Sequence, residues 1–206
     1  MDTLGILFGS PSRIRILRLF LNNPLEAHNI KDIAIKSKVK VAEARKELSL
    51  LKKAGFIAER SFIKEIFLKQ GRKKTSIKKR MRGFQIKASF PFLSPLKNLI
   101  ISETPVSREE ISKRFRTAGK IKLLILSGIF LGENDSRVDV FIVGDNLKKR
   151  SIENILRSIE AEVGKELSYG ALETNEFLYR VSVYDKFIRD ILDMRHDRVI
   201  DRLGVE

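Results

Sequence analysis

Apolar residues between positions 10 and 37 recur at the spacing of α-helices. The first stripe follows a serine that can cap a helix and a proline suited to the first helical position, and it contains Ile14, Leu17 and Leu21. A second helix is predicted over residues 30–37, with Asn29 as its cap. Both helices are expected to pack against a small apolar core.

A third helix is predicted over residues 41–54, and it is expected to end at Gly55 because glycine tolerates the left-handed conformation that closes a helix. The positions expected to be buried are Val41, Ala44, Leu48 and Leu51. The remaining positions predict an outward face that contains Lys40, Ala42, Glu43, Arg45, Lys46, Ser49, Lys52 and Lys53. Such a face is either an ordinary solvated surface or a contact surface for a partner.

Residues 56–69 and 73–90 have the composition of two strands joined by a turn at residues 70–72. Around this turn the chain is strongly basic, since eight of the fourteen residues from 69 to 82 are Lys or Arg and none is acidic. These eight are Lys69, Arg72, Lys73, Lys74, Lys78, Lys79, Arg80 and Arg82. A run of one charge sign repels itself without an anionic partner, so it indicates contact with a phosphate backbone.

The second half of the chain alternates strands with helices after a proline-containing connector at residues 91–118, in which two short helices are predicted. Strands are predicted over residues 121–126, 138–143 and 167–172. Helices are predicted over residues 147–163, 173–180 and 185–194, and a last edge strand over residues 199–203. Alternation of this kind favours a small α/β domain.

Charge is distributed unevenly between the two halves. The 206 residues have a formal charge of +15. Residues 1–90 contain 22 Lys and Arg against 7 Asp and Glu, whereas residues 91–206 contain 19 of each. The whole imbalance therefore belongs to the first half, which indicates a polyanionic partner for that half and supports a division into two domains.

Several classes of protein are excluded by composition. The chain has no cysteine, so disulfide and thiolate chemistry are absent and a reducing cytoplasm is the expected compartment. No apolar run reaches the roughly 18 residues of a membrane span, and the N-terminus lacks the features of a secretory signal. His28 and His196 are isolated in the sequence, so neither a zinc site nor a catalytic triad is predicted.

The order helix, turn, helix and basic hairpin is combined with a characteristic join at residues 48–57, which read Leu-Ser-Leu-Leu-Lys-Lys-Ala-Gly-Phe-Ile. On these features residues 10–90 resemble the winged helix-turn-helix regulators of the ArsR and MarR kind. The resemblance implies that helix 41–54 enters the major groove of duplex DNA, that the hairpin lies on the backbone, and that the chain forms a homodimer. The predicted DNA-binding residues on the helix are Ala42, Glu43, Arg45, Lys46, Ser49, Lys52 and Lys53, and those on the hairpin are the eight basic residues named above.

Residues 126–140, which read Leu-Ser-Gly-Ile-Phe-Leu-Gly-Glu-Asn-Asp-Ser-Arg-Val-Asp-Val, join two predicted strands. This join resembles that of the nucleotidyltransferase superfamily of the DNA polymerase β type, in its minimal members. The resemblance implies a strand ending in Gly-Ser, an Ala-Arg-Gly shortly after it, and two aspartates at i and i+2 of the next strand. In that family the two carboxylates hold Mg²⁺ ions that activate the attacking hydroxyl.

This chain departs from the family pattern at the positions that hold the metal. Arg137 stands in place of the first metal carboxylate, and only Asp139 remains. The serine and glycine occur in the reverse order, as Ser127 and Gly128, and residues 167–172 contain no carboxylate. An arginine opposes a dication at that position, so the domain is expected to have no catalytic residue, no metal site and no transfer activity.

The same residues could still form a pocket for a ligand. Ser127, Gly128, Arg137 and Asp139 are a candidate site for a phosphate or a nucleotide effector, since arginine can replace the charge of the metal. Alternatively, Arg137 and Asp139 pair with each other or with solvent.

Together these observations predict an α+β winged helix-turn-helix domain at residues 1–90, a helical connector at residues 91–118, and an α/β nucleotidyltransferase-like domain with a small mixed sheet at residues 119–206. The preferred function is a cytoplasmic DNA-binding transcriptional regulator whose second domain senses a ligand or associates with a protein. Two alternatives stay open: an active Mg²⁺-dependent nucleotidyltransferase with a nucleic-acid-binding N-terminal domain, and an RNA-binding protein.

Overall fold

The computed structural model describes residues 3–70, 73–101, 106–133 and 135–205, with the side chains of residues 66–70 and 73–75 also left undescribed. Two compact units are formed. The first comprises Met1–Glu103 and Ala161–Lys165, and the second comprises Thr104–Glu160 and Glu166–Glu206. Helices and two small sheets make the chain a mixed α+β protein. None of the helices among the described residues has the length and apolar character needed to cross a bilayer.

The first unit begins with helices whose ends follow from capping chemistry. They are α1 (Thr3–Leu7), α2 (Pro11–Asn22), α3 (Ile30–Lys36) and α4 (Val41–Lys53). The two predicted caps are confirmed, because Ser10 Oγ accepts a hydrogen bond from the backbone N–H of Arg13 at 3.1 Å and Asn29 Oδ1 accepts one from Asp32 N–H at 2.9 Å. Gly55 follows α4 with φ of 79°, as expected for a residue that closes a helix.

Helix α2 lies at the centre of the apolar core of this unit. Its buried apolar side chains are Ile14, Ile16, Leu17, Leu19, Phe20 and Leu21. Helix α4 adds Ala44, Leu48 and Leu51, as the sequence predicted. The predicted burial of Val41 is wrong, since this residue is 41% exposed. Val41 is the first residue of α4, and its Cα–Cβ bond tilts toward the helix N-terminus, so its side chain points past the end of the core.

An antiparallel hairpin follows α4. It consists of β1 (Ile57–Gln70) and β2 (Lys73–Ile86), with Ile57 opposite Ile86 at its base. The second strand ends at Ile86 and not at residue 90, because the chain turns after Lys87, where Phe90 N–H donates to Lys87 O at 3.0 Å. Of the predicted turn at residues 70–72, positions 71 and 72 lie outside the described residues.

Aromatic rings link the base of the hairpin to the core. Phe56 meets Phe20 edge to face at a centroid distance of 6.4 Å, and it meets Phe90 in the same way at 5.5 Å. Helix α5 (Leu93–Ile101) follows and packs on α2. The segment predicted as a connector therefore contributes α5 to the first unit, while its second helix, α6 (Arg108–Phe115), belongs to the second unit.

A four-stranded sheet organises the second unit. After α6 the elements are β3 (Lys120–Leu126), β4 (Val140–Asp145), α7 (Lys149–Val163), β5 (Tyr169–Glu173), α8 (Thr174–Ser182), α9 (Lys186–Asp193) and β6 (Asp197–Asp201). The strand order is β5-β4-β3-β6. Strands β4 and β5 are parallel, and the other two pairings are antiparallel. The sheet is therefore mixed, and α7 is the crossover that a parallel pair requires.

The continuous apolar runs of the sequence form the centre of this sheet. Strands β3 and β4 are buried almost throughout, as predicted. The tail forms the edge strand β6, also as predicted, although it spans residues 197–201. Strand β4 begins at Val140 and not at residue 138, so Arg137 and Asp139 precede the strand. Neither residue is part of the strand, although Asp139 N–H donates to Ser168 O at 2.8 Å just before the regular pairing of β4 with β5 begins.

Candidate nucleic-acid interface

The outward face of α4 is exposed and basic. Because an α-helix turns by about 100° per residue, Ala42, Ser49 and Lys53 lie near the middle of this face, with Arg45 on one side and Lys46 on the other. All five residues are exposed. Within the described part of the chain, the three cations on this face have no ion-pair partner. Their charges are therefore available to an external anion.

Two of the residues predicted on this face are engaged within the first unit. Glu43 Oε1 accepts a hydrogen bond from Ser12 Oγ at 2.5 Å, which directs the carboxylate toward the start of α2. Lys52 Nζ lies 2.5 Å from Glu59 Oε1 on β1. The hydrogen bond and charge of Lys52 hold the pKa of the Glu59 carboxyl below its usual value. Both residues are exposed, but they border the outward face and do not lie at its centre.

Glu47 is a residue of α4 that the sequence pattern did not single out. Its side chain is buried, and it receives hydrogen bonds from Ser10 Oγ at 2.7 Å and from Arg13 Nε at 2.8 Å. A signal was present in the sequence, because the helical spacing places Glu47 on the same side as Ala44 and Leu51. An acidic residue among buried positions requires a cationic or hydrogen-bonding partner.

The described basic residues of β2 lie on both faces of the hairpin. Side chains alternate along a strand, so Lys78, Arg80 and Arg82 lie on one face and Lys79 lies on the other. All four are exposed. Across the register from the first three lie Glu65, Ile63 and Ser61. The first face therefore presents a row of cations at the two-residue repeat of the strand.

Three other lysines predicted to contact the backbone lie at the far end of β1 and at the start of β2. The register pairs Lys69 with Lys74 and Gln70 with Lys73. The side chains of these three lysines lie outside the description, and Arg72 lies outside the described residues altogether.

The hairpin is attached to residues 28–32, which include the start of α3. Lys64 Nζ of β1 lies 2.5 Å from Asp32 Oδ2, and the amide of Asn29 donates to the same oxygen at 2.7 Å. The backbones of His28 and Phe84 are joined by an antiparallel bridge. At the neighbouring Gly83 a Cβ atom would collide with the carbonyl oxygen of His28. The hairpin is thus held by an ion pair and by a third, one-residue strand segment.

His28 is buried at this joint. Removal from water lowers the pKa of its imidazole below the usual value, and the nearby Lys36 ammonium adds to this shift, while Glu26 and Asp32 oppose it. Its Nε2 atom has no hydrogen-bond partner and lies 3.7 Å from Glu26 Oε2. The ring packs against Phe20 at a centroid distance of 6.0 Å.

In the second unit, three of the four candidate ligand-binding residues lie together where β3 ends. Ser127 is buried, and its hydroxyl donates to the backbone oxygen of Val138 at 2.5 Å. Gly128 opens a short 3-10 helix (Gly128–Leu131) with φ of 57°. A Cβ atom at Gly128 would collide with Oδ1 of Asp139, so the glycine is required by the close approach of that carboxylate.

Both carboxylate oxygens of Asp139 are engaged by the protein. Oδ1 accepts from the backbone N–H of Ile129 at 3.0 Å. Oδ2 accepts from the backbone N–H of Ser168 at 2.9 Å and from its hydroxyl at 2.8 Å. Asp139 thus joins the turn after β3 to the residue that precedes β5. The hydrogen bonds of the carboxylate therefore indicate a structural role, in which it connects two segments of the protein, and not the role of a metal ligand.

Arg137, the fourth residue, is directed elsewhere. Its Nε and Nη2 atoms lie 2.7 Å and 2.6 Å from Asp190 Oδ2 on α9. The ion pair between Arg137 and Asp139 that the sequence left open is not formed. Among the described residues, no group of three or more His, Cys, Asp or Glu is arranged to hold a metal ion. Of the two metal-binding carboxylates that the resemblance to the nucleotidyltransferases implies, only Asp139 stands at its position, and it already accepts three hydrogen bonds.

No protein-family model, no curated protein and no solved structure matches this chain. Its function is therefore inferred from the arrangement of its own residues.

Proposed function

We propose that the chain is a DNA-binding transcriptional regulator, and that its first unit is a winged helix-turn-helix domain. In this proposal α4 enters the major groove of duplex DNA, and the β1–β2 hairpin is the wing that lies on the phosphate backbone. The observation that supports it most directly is the outward face of α4, on which Arg45, Lys46 and Lys53 are exposed without an ion-pair partner among the described residues.

The order of elements supports the winged fold. Helices α3 and α4 are separated by a turn of four residues, 37–40, and the hairpin starts directly after α4. The bridge from His28 to Phe84 places a strand residue before α3 on the edge of the hairpin. The bridge attaches the hairpin next to the start of α3, which supports a wing held beside the helix pair.

The charges of the hairpin support backbone contact. Lys78, Arg80 and Arg82 repeat along one face of β2 and lack ion-pair partners among the described residues. Cations arranged in this way release counterions when they meet a polyanion, and such contacts position a protein on the duplex without reading its sequence. Sequence reading is assigned to α4, where the small side chains Ala42 and Ser49 permit close approach to base edges.

For the second unit we propose a nucleotidyltransferase-like module without transfer activity, which senses a ligand or associates with a protein. The engagement of both Asp139 oxygens and the presence of Arg137 support the loss of the metal site. Incubation of the full chain with labelled nucleoside triphosphates and Mg²⁺ or Mn²⁺ tests this. Transfer that disappears in Asp139→Ala would overturn it, and would make the chain an enzyme.

The DNA-binding proposal is tested by selecting bound sequences from a random pool of duplex DNA. We expect enrichment of a defined sequence, repeated with two-fold symmetry if the chain binds as the homodimer that the resemblance implies. Competition between duplex DNA and structured RNA at fixed salt completes the test. A preference for RNA would contradict the proposed DNA-binding regulator and would indicate an RNA-binding protein. Cytoplasmic location stays an expectation from composition.

A further inference from the structure

Glu47 is an acidic residue buried inside the first unit, on the element proposed to read DNA. Its side chain is 5% exposed, whereas that of Arg13 is 29% exposed. The carboxylate accepts from Ser10 Oγ with one oxygen at 2.7 Å and from Arg13 Nε with the other at 2.8 Å. Arg13 is itself held by a hydrogen bond from its Nη1 to Phe8 O at 3.0 Å.

The burial of an ion pair is by itself weak evidence that the pair stabilises a fold. Replacing a buried ion pair with apolar residues of similar volume is often neutral or stabilising, because the desolvation of both charges offsets their attraction. The neighbouring Leu48 and Leu51 already supply apolar contacts. What such an ion pair does supply is a defined orientation, since its two charge-assisted hydrogen bonds are both formed in one orientation only.

The contacts of Glu47 fix how α4 is rotated about its axis. Glu47 and Ser49 lie about 160° apart around a helix, so Glu47 faces the start of α2 when Ser49 faces outward. One turn earlier Glu43 accepts from Ser12, which is also in the first turn of α2. Two carboxylates of α4 thus meet the N-terminal end of α2, where a helix attracts negative charge.

We propose that Glu47, held by Ser10 and Arg13, is a positioning residue that sets the rotation of α4 and thereby the base preference of the protein. The inference rests on the proposed DNA-binding function and adds to it the determinant of specificity. Glu47 does not touch DNA. It acts through the placement of Ala42, Arg45 and Ser49 on the opposite side of α4.

The test uses the full-length chain and the double variant Arg13→Met with Glu47→Met. This pair leaves the net charge unchanged, so general attraction to phosphates is preserved. Binding is measured at one salt concentration to the duplex selected by the wild type and to a scrambled duplex of equal length. The ratio of the two dissociation constants is the readout. It reports preference and is insensitive to the fraction of folded protein.

We expect the double variant to bind the scrambled duplex with a dissociation constant within about twofold of that of the wild type. Its preference for the selected duplex, given by the ratio of the two dissociation constants, should be at least about tenfold weaker, which is the cost of about one mismatched base pair. Leu51→Ala is the control, because it destabilises α4 but removes neither partner of the hydrogen bonds that Glu47 accepts from Ser10 and Arg13, and it is expected to keep the ratio. If circular dichroism shows the double variant to be unfolded, Glu47→Gln replaces it. Glutamine keeps the shape but weakens both hydrogen bonds, and a loss of about threefold or more in the ratio is expected.

An unchanged ratio in a folded variant would overturn the positioning role and leave DNA binding intact. A wild type that binds both duplexes equally would instead overturn the proposed function, and with it the inference. The two failures are therefore distinguishable.

Discussion

His28 and Phe84 exchange both of their backbone hydrogen bonds, with His28 N–H to Phe84 O at 2.9 Å and Phe84 N–H to His28 O at 2.8 Å. A hairpin of two strands is only marginally stable by itself in water. The bridge supplies a third pairing segment at its base, and the ion pair between Lys64 and Asp32 supplies a second attachment. The direction in which the hairpin leaves the first unit is therefore determined by residues that precede α3 and by its first turn.

Gly83→Ala tests this attachment. The added methyl group collides with the carbonyl oxygen of His28 and with the ring of Phe62, so the bridge must open or the strand must shift. We expect the free energy of unfolding to fall by about 2 kcal/mol, the range typical of overpacking. Urea denaturation followed by circular dichroism measures the change, with the exposed Ser76→Ala on the same strand as control. Equal midpoints for the two variants would contradict the close approach of Gly83 to His28.

The hairpin lysines should contribute charge and no sequence preference. Changing Lys73, Lys74, Lys78 and Lys79 to Ala is expected to weaken binding to all duplexes and to reduce the slope of log K against log salt by about 0.9 for each phosphate that the protein no longer neutralises. The control changes Lys148, Lys149, Arg150 and Lys186, which are exposed in the second unit, and alters the net charge equally. Equal slopes for both quadruple variants would show that only the total charge matters.

Arg45 and Ser49 should affect preference more than overall affinity. Arg45→Ala or Ser49→Ala is expected to cost about 1–3 kcal/mol at one position of the selected sequence and to relax the preference there, as for a residue that contacts a base edge. Binding to single-base variants of the selected duplex measures this. Lys52→Ala is the control, because Lys52 is paired with Glu59. A uniform loss on every duplex would assign Arg45 and Ser49 to the backbone.

Asp139→Ala should lower the stability of the second unit, because it leaves the N–H groups of Ile129 and Ser168 without their acceptor. A loss of about 1–3 kcal/mol is expected. Thermal unfolding in the presence and absence of Mg²⁺ measures it, with the exposed Asp135→Ala as control. A midpoint that rises with Mg²⁺ in the wild type but not in Asp139→Ala would instead indicate a metal ligand.

The lowered pKa of His28 predicts a loss of stability in mild acid. The unfolded chain binds a proton near the ordinary value of 6.5, whereas the folded chain resists protonation to lower pH. The contribution of neutral His28 to the free energy of unfolding is therefore fully present above pH 6.5, and it decreases as the pH falls toward the pKa of His28 in the folded protein. Urea midpoints at about pH 7.5 and about pH 5.5 should differ less in His28→Gln than in the wild type. His196→Gln serves as the matched control.

The sequence was sufficient for those features that depend on local chemistry. Ser10 and Asn29 cap the helices that follow them, and the apolar runs of β3 and β4 are buried, because capping residues and hydrophobic periods act over a few neighbouring positions. The end of α4 at Gly55 follows from the same kind of rule.

Features that depend on distant residues were missed. Helical spacing places Glu47 on the buried side of α4, but its burial depends on Ser10 and Arg13, which are more than thirty residues earlier and which a local pattern does not identify. Arg137 pairs with Asp190 across an even longer separation in sequence. The start of β4 was predicted two residues too early because Val138 is apolar and buried although it precedes the strand. Each of these outcomes is decided by tertiary packing.

The position of β6 in the sheet has a consequence for synthesis of the protein. Strand β6 covers the side of β3 that β4 leaves free, but it is translated about seventy residues after β3. Until residues 197–201 leave the ribosome, the N–H and C=O groups on that side of β3 have no strand to pair with. The nascent second unit thus passes through a period in which an apolar strand is open to other chains, and chaperone demand should be greatest during that interval.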